Sequence, residues 1–128
     1  MPRRRFRGSL AALTGLLLAG GCAEAPLPQR QLRSDDCLQN VQLNQLAEQI
    51  RRCDAVVAAF PHNPAPLNER YLLHSLAGNE VAACADIARA AALARTKPAG
   101  SLDPQLRTEL KLRQELCREP AARRRAQA

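Results

Sequence analysis

Five cysteines, Cys22, Cys37, Cys53, Cys84 and Cys117, carry the most reactive side chains of this 128-residue chain. Their thiols could ligate zinc, cycle as a redox pair, form disulfides or accept a lipid. Zinc sites want closely spaced ligand pairs and redox sites want Cys-x-x-Cys, and the chain contains neither Cys-x-x-Cys nor Cys-x-x-His. No metal is therefore expected. His62 lies in a proline-rich stretch and His74 within an apolar one, each without a ligand set nearby. Asp35-Asp36 could form a carboxylate pair but reads more simply as a helix start, and Ser75 lacks a Gly-x-Ser-x-Gly setting. Catalysis has no support in this pattern, and neither a cofactor nor a small-molecule substrate is expected.

Cys22 differs from the other four in what precedes it. Met1 to Arg7 is basic, Ser9 to Ala19 is an apolar run of 11 residues, and Ala19, Gly20 and Gly21 lead into the cysteine. Such a run is far short of the roughly 20 residues that span a bilayer as a helix. Small residues before the cysteine let a peptidase approach an extended backbone, and the thiol can take a diacylglycerol. As a set these residues resemble the bacterial lipoprotein signal, with Ala19 where leucine is more usual. The resemblance implies removal of residues 1–21, acylation of Cys22 with chains such as palmitate, and anchoring in the cell envelope facing the periplasm. Ala23, standing where aspartate would retain a Gram-negative lipoprotein at the inner membrane, implies the outer membrane. Arg3-Arg4-Arg5-Phe6 also looks like the core of a twin-arginine signal, so the export route stays open.

Removing the leader changes the electrostatics. The formal charge of +7 falls to +3 from Cys22 onward, and residues 35–118 carry 10 basic and 10 acidic side chains. The basic excess is therefore at the ends, in the leader and at Arg123, Arg124 and Arg125. Only Phe60 and Tyr71 supply rings after Cys22, too few to stack bases, so no nucleic-acid partner is expected. Few rings and many alanines also mean a thin core, which cross-links would have to supplement.

Periodicity gives an all-α domain of about five helices. Residues 22–34 form a lipidated N-terminus and tether, whose 11 residues from Ala23 to Arg33 reach at most about 35–40 Å. Ser34-Asp35-Asp36 signals a helix start. Leu46, Ile50, Cys53, Val57 and Phe60 step at helical spacing, but Leu38 and Val41 do not extend that seam, which predicts a short helix, a turn near Asn44 and a longer helix. Phe60 to Pro66 then reads as a loop. A third helix is predicted over 67–77 with Leu72, Leu73 and Leu76 inward, stopped by Gly78-Asn79. A fourth is predicted over 80–95 with Val81, Cys84, Ile87, Ala88, Ala91 and Ala94 on one face. Asp103 and Pro104 open the last, with Leu106, Leu110, Leu112, Leu116 and Cys117 on its apolar side. Pro120 is expected to end it, leaving the domain at 35–119 and a disordered basic tail at 120–128.

At an offset of 34 residues, Leu38 falls on Leu72, Asn44 on Gly78, Cys53 on Ile87, Val56 on Ala90 and Phe60 on Ala94. With Ala83 and Pro61, this spacing resembles the tetratricopeptide repeat. Arg70, Tyr71 and His74 depart from that pattern. The resemblance implies stacked antiparallel hairpins that present a groove, against the alternative of a plain helical hairpin bundle.

With Cys22 committed to lipid, four cysteines remain for an oxidising compartment. Antiparallel helices pair residues equidistant from their turn. Cys37 and Cys53 centre on 45, at the predicted turn, and Cys84 and Cys117 on 100.5, in the predicted loop, so these two disulfides are expected. Asn68, Glu69, Arg70 and Tyr71 form a candidate binding edge, and Arg123, Arg124 and Arg125 a candidate contact for anionic polymer. The expected role is that of a non-catalytic interaction or assembly module binding an envelope protein or peptide. In size, anchor and helix content it resembles pilotins, which escort secretin subunits. The alternative is a structural lipoprotein held to lipopolysaccharide or cell wall by its tail.

Overall fold

Pro64–Leu76 (α2) is the helix against which the others assemble in the computed structural model, which describes the backbone of residues 30–126 and the side chains of 30–119. The leader, Cys22 and most of the tether lie outside the described residues, as do the side chains of Arg123, Arg124 and Arg125. Leu46–Ala59 (α1) packs on α2, α2 packs most extensively on Glu80–Arg95 (α3), and Pro104–Ala126 (α4) packs on α3 and touches α2. No strand occurs among the described residues. The fold is an antiparallel stack of helical hairpins closed by two disulfides, Cys37–Cys53 and Cys84–Cys117, both as the spacing predicts.

Each turn has a local cause. Asn63 caps α2 by accepting a hydrogen bond from the Ala65 N–H at 3.0 Å. Pro64 and Pro66 sit in the first turn, where a helix N–H has no intrahelical acceptor and its loss costs nothing. The helix therefore begins three residues before the predicted Leu67, and the expected loop shrinks to Phe60–Asn63. At its other end Gly78 takes φ +73°, the Gly78 N–H bonds to Ser75 O and the Asn79 N–H to His74 O, which satisfies the last carbonyls of α2. The Asn79 side chain then caps α3 by accepting from the Ala82 N–H at 3.1 Å. One three-residue turn, Ala77–Asn79, thus ends one helix and starts the next. Asp103 caps α4 in the same way, through the Leu106 N–H.

The short helix expected before Asn44 does not form. Residues 34–40 form turns and 41–42 run without regular structure into a single 3-10 turn at Leu43–Gln45, giving four α-helices among the described residues rather than about five. Local side chains outcompete helical hydrogen bonds here. The Asp36 carboxylate accepts from the Arg33 N–H at 2.7 Å and from the Arg30 guanidinium at 2.6 Å, so it closes a turn instead of capping a helix. Asn40 adopts φ +54°, which ends any right-handed run. The buried Gln49 amide donates to Cys37 O and Gln39 O, supplying from α1 the partners a helix would have supplied internally. The first unit of the 34-residue pattern consequently lacks its first helix.

The core is small. Val56, Leu67, Leu73, Ile87, Ala90, Leu110 and the Cys37–Cys53 sulfurs are buried in it, with Ile50, Phe60 and Leu106 partly covered around it. Three predicted faces hold in part: Leu73, Ile87, Ala91 and Leu110 are buried as expected, and Leu72, Cys84, Ala94, Leu106 and Cys117 are partly covered. Leu76 is exposed and Leu73 takes the inward position; Val81 and Ala88 are exposed, and Ala83, Asp86, Ile87, Ala90 and Ala91 line the covered face of α3. On α4, Leu112 and Leu116 are exposed, whereas Leu106, Leu110, Arg113 and Cys117 face the stack. In each case a polar residue (Asn68, Asp86, Arg113) holds an inward position that hydrophobicity assigns to the surface. α4 also continues through Pro120 to Ala126. An interior proline costs about 3 kcal/mol and one hydrogen bond, but 121–126 are alanines and arginines, strong helix formers that carry the backbone on.

Both disulfides should be stabilising, in an order opposite to loop length. Chain entropy alone gives about 3 kcal/mol for a separation of 16 and about 4 for 33. Cys37 and Cys53 are fully buried, however, and Cys117 is only partly covered. In urea denaturation, Cys37→Ala/Cys53→Ala should lose more stability than Cys84→Ala/Cys117→Ala; the reverse order would mean that loop length alone governs.

Candidate functional site

Asn68, Glu69, Arg70 and Tyr71 are consecutive on α2, so each is rotated about 100° from the last. The structure does not gather them at one edge. It sends them to different neighbours.

Arg70 reaches α1 and α3 together. Its Nε and Nη2 donate to Asp86 Oδ2 and Oδ1 at 2.8 and 2.6 Å, a bidentate fork, and its Nη1 donates to Asp54 Oδ1 at 2.8 Å. The Asp86 side chain is 8% exposed and Arg70's 17%, so this pair is largely withdrawn from water, whereas Asp54 is half exposed. Hydrogen bonding to Asp86 holds the Arg70 pKa above even its ordinary high value. His74 Nε2 lies 3.7 Å from the same Asp86 carboxylate.

Asn68 is buried and faces α4. Its amide donates to Glu109 Oε2 at 2.7 Å, and Arg113 donates to both its side-chain and backbone oxygens. The Arg113 guanidinium also lies 5.1 Å from the centroid of the Tyr71 ring, a cation–π contact. Hydrogen bonds from Gln105 and then Asn68 hold the Glu109 carboxyl below the usual carboxylate range.

Glu69 faces the turns at 35–38 and is the one member whose polar atoms are not all satisfied: Oε2 is buried without a hydrogen-bond partner. Burial, with the nearby Asp35 carboxylate adding to it, pushes its pKa up to about 7, against the stabilising hydrogen bond from the Cys37 backbone. It opens on a cleft of about 360 Å³ between α2 and α4, with Leu38, Leu72 and Leu106 as apolar lining and Glu109 and Arg113 beside it. A carboxyl poised near neutrality can donate or accept a hydrogen bond, which suits recognition of a polar group.

No family model, no curated protein and no solved structure matches the chain. The reading therefore rests on the residues themselves. The Ser75 hydroxyl is turned onto its own helix, donating to Tyr71 O at 2.8 Å. His62 is exposed in the α1–α2 turn. Asp35 pairs with the Arg33 side chain and Asp36 with Arg30, so the two carboxylates do not act as a pair. No group of three or more His, Cys, Asp or Glu side chains suitable for a metal occurs among the described residues.

Sequence reasoning missed Asp54, Asp86, Glu109 and Arg113. For the first two a signal existed. Asp54 and Asp86 each lie 16 residues from Arg70, with midpoints at 62 and 78, on the two turns that flank α2. The equidistance rule that pairs the cysteines pairs these charges too. Glu109 and Arg113 are 41 and 45 residues from Asn68 and have no such local signature.

The raised pKa of Glu69 has a sign. Folding keeps on this carboxyl a proton that the unfolded chain releases near 4.5, so stability should fall as pH rises from about 4.5 to about 7. Glu69→Gln should remove that decline. Its melting temperature should match the parent's at pH 4.5 and exceed it by about 5 °C at pH 8; an equal difference at both pH values would show that ionisation of Glu69 is not the cause.

Proposed function

We propose that this protein is a lipid-anchored module of the cell envelope, facing the periplasm, that binds another protein without catalysis. The observation that carries the reading is the open ground at one end of the helical stack. A groove of about 490 Å³ between α3 and α4 adjoins a second of about 690 Å³ between the α1–α2 turn and the start of α4, and the two share Lys97 and Leu102. Both have apolar floors and wide mouths, a form suited to a segment of a macromolecule rather than to an enclosed metabolite. The basic leader, its apolar run and the small residues before Cys22 support the anchor, and two disulfides are in keeping with an oxidising compartment. Hairpin stacking of the tetratricopeptide kind, confined to α2 and α3, is part of the same proposal.

Expressed with its leader and cross-linked in intact cells, the chain should begin at an acylated Cys22 by mass spectrometry and should copurify with a single membrane complex. Recovery of bulk lipopolysaccharide or cell wall instead, lost on deleting residues 121–128, would assign the structural role to the basic tail and overturn the binding reading.

A further inference from the structure

We propose that the groove between the C-terminal half of α3 and the N-terminal half of α4 takes an acidic amphipathic helix of the partner protein. This deepens the binding role proposed above and rests on it. The groove's floor is apolar, with Ala94 and the buried Leu110, and its rim carries Arg95, Lys97, Arg107 and Lys111. Among the described residues no acidic side chain lines it. That concentration is notable in a domain whose residues 35–118 balance 10 basic against 10 acidic side chains. Most other cations are engaged internally, Arg70 by Asp54 and Asp86, Arg113 by Asn68 and Glu109, Arg118 by Glu115, with exposed Arg89 the exception among residues 35–118 outside the groove that has no side-chain partner. Around this groove they are not. Arg107 donates only to the Leu102 carbonyl, and Arg95, Lys97 and Lys111 have no ion pair within the described residues. The neighbouring Asp103 is already engaged in capping α4.

Geometry favours a helix as the occupant. Arg107, Leu110, Lys111 and Gln114 repeat at i, i+3, i+4 and i+7, one face of α4, and α3 runs antiparallel beside it. The hollow between two antiparallel helices is where a further helix of the stack would lie. Among the described residues nothing fills that place, which is the groove of about 490 Å³. A helix with leucines on one face would cover the floor, and glutamates flanking that face would meet the four cations.

The test uses the mature, acylated chain in phosphatidylcholine nanodiscs and two fluorescein-labelled 16-residue helical peptides. One has leucines at i, i+3 and i+4 spacing with glutamates elsewhere; the other has lysines in place of the glutamates. By fluorescence anisotropy the glutamate peptide should bind and the lysine peptide should not, and added salt should weaken the binding. Lys97→Glu/Lys111→Glu, which removes no hydrogen bond of the fold, should weaken the glutamate peptide at least about tenfold and admit the lysine peptide. Equal binding of both peptides, or an unchanged affinity in the variant, would overturn the inference. So would loss of binding to phosphatidylglycerol vesicles in the variant while neither peptide binds, since the groove would then face lipid. The same variant separates the two levels of the proposal in the cross-linking experiment. If parent and variant capture the complex equally, the groove assignment fails and the binding role stands; if the parent captures none, the binding role itself fails.

Discussion

Arg70 ties three helices together at one point. Its guanidinium forks onto Asp86 of α3 while its remaining Nη reaches Asp54 of α1. A charge withdrawn from water is costly unless paired and hydrogen-bonded, and here both conditions are met on the Asp86 side. The Asp54 contact is half in solvent and contributes less. The pair also sets the rotation of α2 about its axis. Once Arg70 points between α1 and α3, the neighbouring residues have no freedom: Asn68 must face α4, Glu69 the turns at 35–38, and Tyr71 the guanidinium of Arg113. An apolar core of alanine, valine, leucine, isoleucine and cystine, with no buried aromatic among the described residues, would specify that rotation only weakly.

The disulfides secure the parts that Arg70 does not reach. Cys37–Cys53 holds the irregular segment before α1 against the core, with Pro66 O within 3.8 Å of both sulfurs, and Gln49 fastens the same segment through two carbonyls. Cys84–Cys117 locks α4 to α3 near the end opposite their connecting loop, so that loop and disulfide clamp the hairpin at both ends. Glu69 works against this arrangement. It is the point where the ordered turns, their acidic side chains and α2 crowd a carboxyl that would rather be hydrated. Such a locally unfavourable group beside an open cleft is a feature that burial alone does not require.

What the sequence made legible follows from spacing. Helix type, the turns near 61, 78 and 100, and both cysteine pairs could be read because each depends on residues near one another or equidistant from a turn. The Cys37–Cys53 pairing holds although the helix assumed to present Cys37 does not form; a turn at Leu43–Gln45 suffices to fold the segment back. Residues 34–42 were misread because Asp36, Asn40 and Gln49 decide that region through side-chain hydrogen bonds, one of them from another element. The inward faces of α2, α3 and α4 are legible only in part for a related reason: Asn68, Asp86 and Arg113 are covered polar residues, and hydrophobic periodicity assigns such residues to solvent. Of the four residues of the candidate edge on α2, Asn68, Arg70 and Tyr71 join helices to one another.

The grooves proposed for binding lie at the loop end, away from the polar junction, which holds α1, α2 and α3 together. The strength of that junction can be measured directly from the unfolding free energies of Arg70→Met, Asp86→Asn and the double variant, with both disulfides intact. Each single change strands a charge or its hydrogen bonds and should cost about 3 kcal/mol. The double variant should cost little more than either, a coupling of about 2 kcal/mol or greater. Losses that add to within about 0.5 kcal/mol would contradict the central role of this pair and leave the stack held by its apolar contacts and disulfides alone.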